Sequence, residues 1–327
     1  MIILLTGGCK NGKSGLAQKL AVLLSKRKHG RLFYVATMKS TGEEDDERIR
    51  RHVEDRAGLG FETIEIQTDI NKIMQEDAAT YLTDSLTALL ANEMFTEKNG
   101  SFFTDRDAAA RVGTELEELM KTTAEKRTDL IFVSDGIYSD SAIYDGDTFL
   151  YREGLGKLER VVTDCADLVI EMCAGVPMIH KKSVAVAEDK ELMDLLKRDG
   201  KKQGALIIGG AAQGKRAFVK NKFGLKDEDI YTFETDEILH GEIGIPRGFK
   251  AYEHVERLAL SMGMDVHELA DDFPKDAVLI CEDITCGIVP LSKEDRRWRD
   301  DAGRFMQALS DSRDVYRVFC GKGTQIG

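Results

Sequence analysis

Eight consecutive residues carry the most explicit chemistry in the chain. Gly7, Gly8, Cys9, Lys10, Asn11, Gly12, Lys13 and Ser14 match the spacing G-x-x-x-x-G-K-S/T. The glycines let the backbone curl until its N–H groups face phosphate oxygens. Lys13 brings a mobile cation to the β- and γ-phosphates, and Ser14 brings a hydroxyl to Mg²⁺. Such a loop works between a strand and a helix, whose positive end then faces the anion. Ile2 to Thr6 is a short apolar run that reads as a buried strand, and Leu16, Leu20, Leu23 and Leu24 recur at helical spacing behind the loop. The pattern speaks for nucleotide binding and is silent on the reaction.

A second, defective copy follows. Leu206 to Ile208 enters Gly209, Gly210, Ala211, Ala212, Gln213, Gly214, Lys215 and Arg216. Arg216 stands where the metal hydroxyl belongs, and a guanidinium repels Mg²⁺ rather than ligating it. Two readings stay open: a loop retained only as fold, or an arginine that replaces the metal charge in anion binding. Around both loops, apolar runs alternate with amphipathic stretches, which specifies an α/β fold with a mainly parallel sheet covered by helices on both faces. The expected organisation is a phosphate-loop NTPase domain of the RecA-like type over residues 1–182, a helical linker over 183–203, and a shorter, related α/β domain over 204–327. Within the linker, Ala187 to Arg198 reads as one polar helix.

Composition narrows the function classes. The 327 residues hold 46 Lys+Arg against 58 Asp+Glu, a net charge of −12, which speaks against a general nucleic-acid binder. The six cysteines show neither a CxxC pair nor zinc spacing, so they read as reduced thiols. The N-terminal run lacks a basic region and is too short for a signal peptide, and no stretch approaches the roughly 20 apolar residues of a membrane span. A cytoplasmic protein is expected.

Several polar residues could complete a nucleotide site. Asp84 follows a short apolar run and suits either Mg²⁺ binding or a helix N-cap. Asp135, after the strand-like Leu130 to Ser134, competes for the metal role. His52, taken alone, reads as an exposed histidine on a charged helix. His240, His254 and His267 read as surface or helix residues.

The order of motifs changes the weight of these candidates. The N-terminal phosphate loop, YVAT (Tyr34 to Thr37), RIRRH (Arg48 to His52) and DSLTALLANEMF (Asp84 to Phe95) resemble the adenosylcobinamide kinase/adenosylcobinamide-phosphate guanylyltransferase family of cobalamin biosynthesis. The likeness runs over about residues 1–180, through YREGLGKLER and CADLVIEMCAGVP. It implies that His52 is the guanylylated nucleophile, and that Ala36, Thr37, Arg56, Glu65 and Asp84 belong to the nucleotide site. Arg48 and Arg51 would flank one anion. It implies GTP and ATP as nucleotides, Mg²⁺ at Ser14 and Asp84, adenosylcobinamide or its phosphate as the other substrate, and room for a homo-oligomer.

The family's Asn-Glu-Val-Gly-x-Gly-Ile-Val-Pro segment is missing from the first half, where Ser134, Asp135, Gly136, Ile137, Tyr138 and Ser139 stand. The second half keeps a close version in Glu282 to Pro290, followed by RRWRDDAGRFMQAL (Arg296 to Leu309). The halves therefore resemble a tandem duplication with complementary losses. The expectation is one composite site, with nucleotide on the first half and cobinamide touched by Gly287, Ile288, Val289 and Pro290. The bland rival makes the second half a scaffold. The function expected is a bifunctional kinase and guanylyltransferase. Its rivals are an enzyme that keeps one of the two activities, a nucleotide-binding regulatory protein, and an unrelated small-molecule kinase.

Overall fold

The computed structural model describes residues 1–40, 42–73, 76–98, 101–138, 142–144, 146–198, 200, 202–240, 244–260 and 265–327. Its first part comprises β1 (Ile2–Gly7), α1 (Lys13–Lys28), β2 (Leu32–Ala36), α2 (Glu43–Asp55), β3 (Glu62–Glu65), β4 (Thr80–Asp84) and α3 (Leu86–Met94). It continues through β5 (Phe95–Lys98), β6 (Ser101–Thr104), α4 (Ala108–Lys121), α5 (Thr123–Lys126), β7 (Asp129–Val133), α6 (Gly146–Cys165), β8 (Leu168–Cys173) and β9 (Val176–Lys182). Seven of these strands form one sheet, in the order β3-β2-β4-β7-β1-β8-β9, parallel except for β9. The β5–β6 hairpin stands apart as its own two-stranded sheet.

Strand periodicity builds the two helical layers. Along β1, Ile3 and Leu5 point to a core shared with Ala17, Leu20 and Leu24 of α1. Their neighbours Ile2 and Leu4 point the other way, to Leu89, Val112, Leu116 and Leu158 of α3, α4 and α6. Alternation at a period of two thus lets one short apolar run hold helices on both faces.

Two short helices, α7 (Val184–Glu188) and α8 (Lys190–Leu195), replace the single polar helix expected over Ala187 to Arg198. The break has a local cause: the Asp189 carboxylate accepts the Leu192 N–H at 3.1 Å, capping a new helix, and also grips Arg27. Asp199 and Lys201 of the expected linker lie outside the described residues.

The chain goes on through β10 (Ala205–Gly209), α9 (Lys215–Phe223), β11 (Ile230–Thr232), α10 (Thr235–His240), β12 (Ala251–Glu253) and α11 (Val266–Asp271). It closes with β13 (Val278–Glu282), α12 (Lys293–Ser310), β14 (Asp314–Phe319) and β15 (Lys322–Gln325). The order β11-β12-β13-β10-β14-β15 repeats β2-β4-β7-β1-β8-β9, again with an antiparallel last strand. The two sheets are not independent. Cys173, Ala174 and Val176 from the first pack into the same core as Phe305, Met306 and Leu309 of α12. Arg317 of β14 pairs with Glu171 of β8.

Candidate active site

The loop between β1 and α1 is held open by backbone geometry that side chains would spoil. Gly7 has φ +137° and packs against the Met172 backbone, and Gly12 has φ +86° at the helix N-cap. Lys13 is buried; its ammonium donates to Gly7 O at 2.9 Å and Gly8 O at 2.7 Å and pairs with Asp135 Oδ1 at 2.9 Å. The Lys13 and Arg48 charges hold the Asp135 carboxyl below its usual range, although burial acts in the opposite direction.

Asp84, at the end of β4, is the hub on the other side of the loop. Its Oδ2 accepts the Ser14 hydroxyl at 3.1 Å and the Tyr34 hydroxyl at 3.1 Å, and lies 3.7 Å from His52 Nδ1. Tyr34 Oη is also 3.3 Å from that nitrogen. The cap of α3 is Ser85, whose hydroxyl accepts the Ala88 N–H, so the Asp84 carboxylate stays with the loop. Burial lowers the His52 pKa, and Arg48, Lys10 and Arg56 add to that effect against the opposing pull of Asp84. The imidazole is therefore neutral at neutral pH, the state that carries a nucleophilic lone pair.

His52 lines a cavity of about 240 Å³ with Tyr34, Ala36, Arg56, Glu65 and Asp84. The Arg56 guanidinium lies over the Tyr34 ring, 3.5 Å from its centroid, and its buried Nη1 has no hydrogen-bond partner among the described residues. Two expected members fall elsewhere. Arg51 is exposed and pairs with Glu47 at 3.3 Å, because on α2 it projects to a different side from Arg48 and His52. Thr37 is fully buried, and its hydroxyl is spent on the Ser85 backbone, donating to Ser85 O at 2.8 Å and accepting Ser85 N–H at 2.6 Å.

A larger cavity of about 460 Å³ lies beside the first, with Met38 in both walls. Cys9, Arg48 and Asp135 line it from one half, and Thr285, Gly287, Ile288, Val289 and Arg299 from the other. Pro290 is outside that lining; its carbonyl accepts Arg296 of α12 at 3.1 Å. Backbone bonds fasten the wall: Cys9 N–H donates to Thr285 O at 2.9 Å and Gly287 N–H to Gly136 O at 3.1 Å. The Asn11 side chain ties the loop to its surroundings. Its amide donates to Thr285 Oγ1 at 2.9 Å and its oxygen accepts Ala174 N–H at 2.8 Å. Helix α12 reaches the loop as well. The Cys9 thiol donates to Asp300 at 2.9 Å, Gln307 donates to Lys10 O, and a methyl on Gly303 would sit 2.5 Å from Cys9 O.

Sequence reasoning overlooked Tyr34, Thr285 and Arg299 as site residues. Arg299 had a signal, the RRWRD run; Thr285 had none, since it replaces the glycine of the family pattern. Ser139 lies outside the described residues.

The second loop occupies the matching place in its own sheet. Leu5 pairs with Val133 as Ile207 pairs with Ile280, so Gly209 corresponds to Gly7. Asp84 pairs with Val133 as Glu253 pairs with Ile280, so Glu253 corresponds to Asp84. Lys215 donates to Gly209 O and Gly210 O and lies 3.5 Å from Glu282, as Lys13 does with its counterparts. Arg216 pairs with Glu253 and with Asp227 at 3.0 Å, so its charge is consumed within the protein rather than offered to an anion. His254 is half-buried beside Glu256 at 3.2 Å, not a surface residue; that hydrogen bond raises its pKa. His267 is exposed on α11, and the His240 side chain lies outside the described residues.

A strand–loop–helix phosphate cradle on a mainly parallel sheet with helices on both faces defines a phosphate-loop nucleotide-binding protein. The family model described as cobinamide kinase / cobinamide phosphate guanyltransferase matches residues 3–179. The chain belongs to that family of cobalamin biosynthesis, whose substrates are nucleotides and cobinamides. No curated protein matches the chain. Among solved structures, the flagellar accessory protein FlaH of Methanocaldococcus jannaschii is 19% identical, with 56% of this chain and 79% of that chain covered at a TM-score of 0.29. A Pyrococcus horikoshii OT3 protein is 9% identical, with 58% and 88% covered at a TM-score of 0.32. At those scores neither bears on the site. No helix among the described residues is long and apolar enough to cross a membrane.

Proposed function

We propose that this chain transfers GMP from GTP to adenosylcobinamide phosphate through a guanylyl-histidine at His52, and phosphorylates adenosylcobinamide beforehand. One observation carries the reading: a single Asp84 oxygen lies 3.1 Å from Ser14 Oγ and 3.7 Å from His52 Nδ1, one carboxylate bridging loop and imidazole. With Nδ1 turned to Asp84 and Tyr34, the lone pair on Nε2 attacks the α-phosphorus. A P–N bond forms as the bond to pyrophosphate breaks. The acceptor phosphate oxygen then displaces the imidazole and yields adenosylcobinamide-GDP. Arg56 is positioned to hold phosphate oxygens in the smaller cavity, and Lys13 does so in the loop.

Ser14 and Asp84 fit Mg²⁺, since two hard oxygens meet at the loop terminus. When bound there, the ion would neutralise phosphate charge. The two halves serve as a tandem duplication with one composite site, the acceptor occupying the larger cavity walled by Gly287 to Val289.

A narrower reading, guanylyl transfer alone, is favoured by the Cys9 N–H, which is spent on Thr285 O at 2.9 Å. Transfer of label from γ-labelled ATP to adenosylcobinamide distinguishes the two. The central test uses α-labelled GTP and Mg²⁺. Wild type is expected to hold acid-labile, base-stable label, and His52→Ala none, with turnover down more than about 10³-fold. Equal labelling of both proteins would remove the nucleophile.

A further inference from the structure

The larger cavity contains a guanidinium whose hydrogen bonding is incomplete. Arg299 of α12 is only 9% exposed. Its Nη1 reaches the carbonyl oxygens of Gly287 and Ile288, both at a long 3.4 Å, and its buried Nε has no hydrogen-bond partner among the described residues. Burying a guanidinium with an unused donor is costly unless another group supplies the missing acceptor. Arg48 lines the same cavity and enters no ion pair among the described residues, while the Asp135 carboxylate is occupied by Lys13. The charged side chains of the lining are Lys39, Arg48 and Arg299 against Asp45 and Asp135, and with Asp135 paired to Lys13 the balance suits an anion with several oxygens. The planar fork of arginine suits a phosphoryl group better than an ammonium would.

Arg299 is also held in place from the first half. Ile288, whose carbonyl it touches, packs against the core under β1 and β7. We infer that Arg299 is a phosphate-binding residue which the second half supplies to the site of the first, gripping one phosphoryl group together with Arg48. The inference rests on the composite site proposed above and names its anion subsite. Two phosphoryl groups offer the same oxygens: the terminal phosphate of the nucleotide and the phosphate of the acceptor.

Equilibrium binding to the full chain separates them, using two ligand pairs that differ by one phosphate. These are GTP against GDP, each with Mg²⁺, and adenosylcobinamide phosphate against adenosylcobinamide. Arg299→Gln is expected to weaken the phosphate-richer member of one pair by about 10–100-fold and to leave the other member within twofold. Loss confined to GTP assigns the terminal phosphate; loss confined to adenosylcobinamide phosphate assigns the acceptor. Arg299→Lys should recover part of the loss.

A residue that merely braces the 287–290 loop would weaken all four ligands alike or none, and either result overturns the inference. Should Arg299→Gln fail to fold, Arg299→Lys and the exposed Arg48→Gln decide the same comparison. Failure of wild type to bind either cobinamide would count against the proposed acceptor, and the GTP and GDP pair would still decide Arg299.

Discussion

The two phosphate loops share their glycines and their lysine, and of the four positions at which they differ the last changes the chemistry most. Lys13 and Lys215 fold back on the same two loop carbonyls and meet an acid at the same strand position, Asp135 in one and Glu282 in the other. At the next residue they part. Ser14 offers a neutral hydroxyl to Asp84, which leaves the carboxylate its charge. Arg216 neutralises Glu253 and reaches Asp227, turning the corresponding corner into an ion-paired strut. A phosphate loop thus keeps its lysine contacts without the metal hydroxyl, because the glycines and the lysine serve the fold.

That contrast can be broken experimentally. Copying the second loop into the first with Ser14→Arg should lower Mg²⁺-dependent GTP affinity by about 100-fold or more, since it removes the proposed metal ligand and cancels Asp84; isothermal titration reads it. Retained affinity would mean that the hydroxyl is dispensable. On the acceptor side, Ile288→Asp should cut GMP transfer to adenosylcobinamide phosphate by about 100-fold while covalent labelling at His52 continues. Pro290→Asp, outside the cavity lining, should have a far smaller effect. Equal effects would dissolve the distinction between cavity wall and loop.

Acidity offers a sharper probe. Burial and the neighbouring cations disfavour the His52 imidazolium, so the acid limb of the labelling rate should lie below the free-histidine value of about 6.5. Asp84 is the one named group acting against them, so Asp84→Asn should move that limb to still lower pH as the rate falls. A limb moving upward would contradict this arrangement of charges. The smallest effect belongs to Arg216→Ser. Of its partners Asp227 is largely exposed and Glu253 mostly buried, so melting should fall by only a few degrees, about 3 °C. Nucleotide stoichiometry should stay unchanged, and a newly bound second nucleotide would show that one arginine alone had silenced the loop.

Much of the frame was readable in the chain. Ile2 to Thr6 and the leucines behind the loop specify a strand and a helix through their period. Less of the site was readable. Arg48, Arg51 and His52 sit in one short run, and only the packing of α2 separates Arg48 and His52, which line the larger and the smaller cavity, from Arg51, which pairs with Glu47. The choice between Asp84 and Asp135 turns on strand order, which puts one beside Ser14 and the other beside Lys13.

By itself, the sequence determined that a phosphate cradle exists, that its second copy lacks the metal hydroxyl, and which family the chain belongs to, because those features are local in spacing. The tertiary structure alone decided that Thr285, Ile288 and Arg299 meet Cys9, Arg48 and Asp135 around one cavity. No local pattern encodes a contact across nearly 300 positions. It arises only when two sheets bury a common core and bring the end of one strand set against the loop of the other.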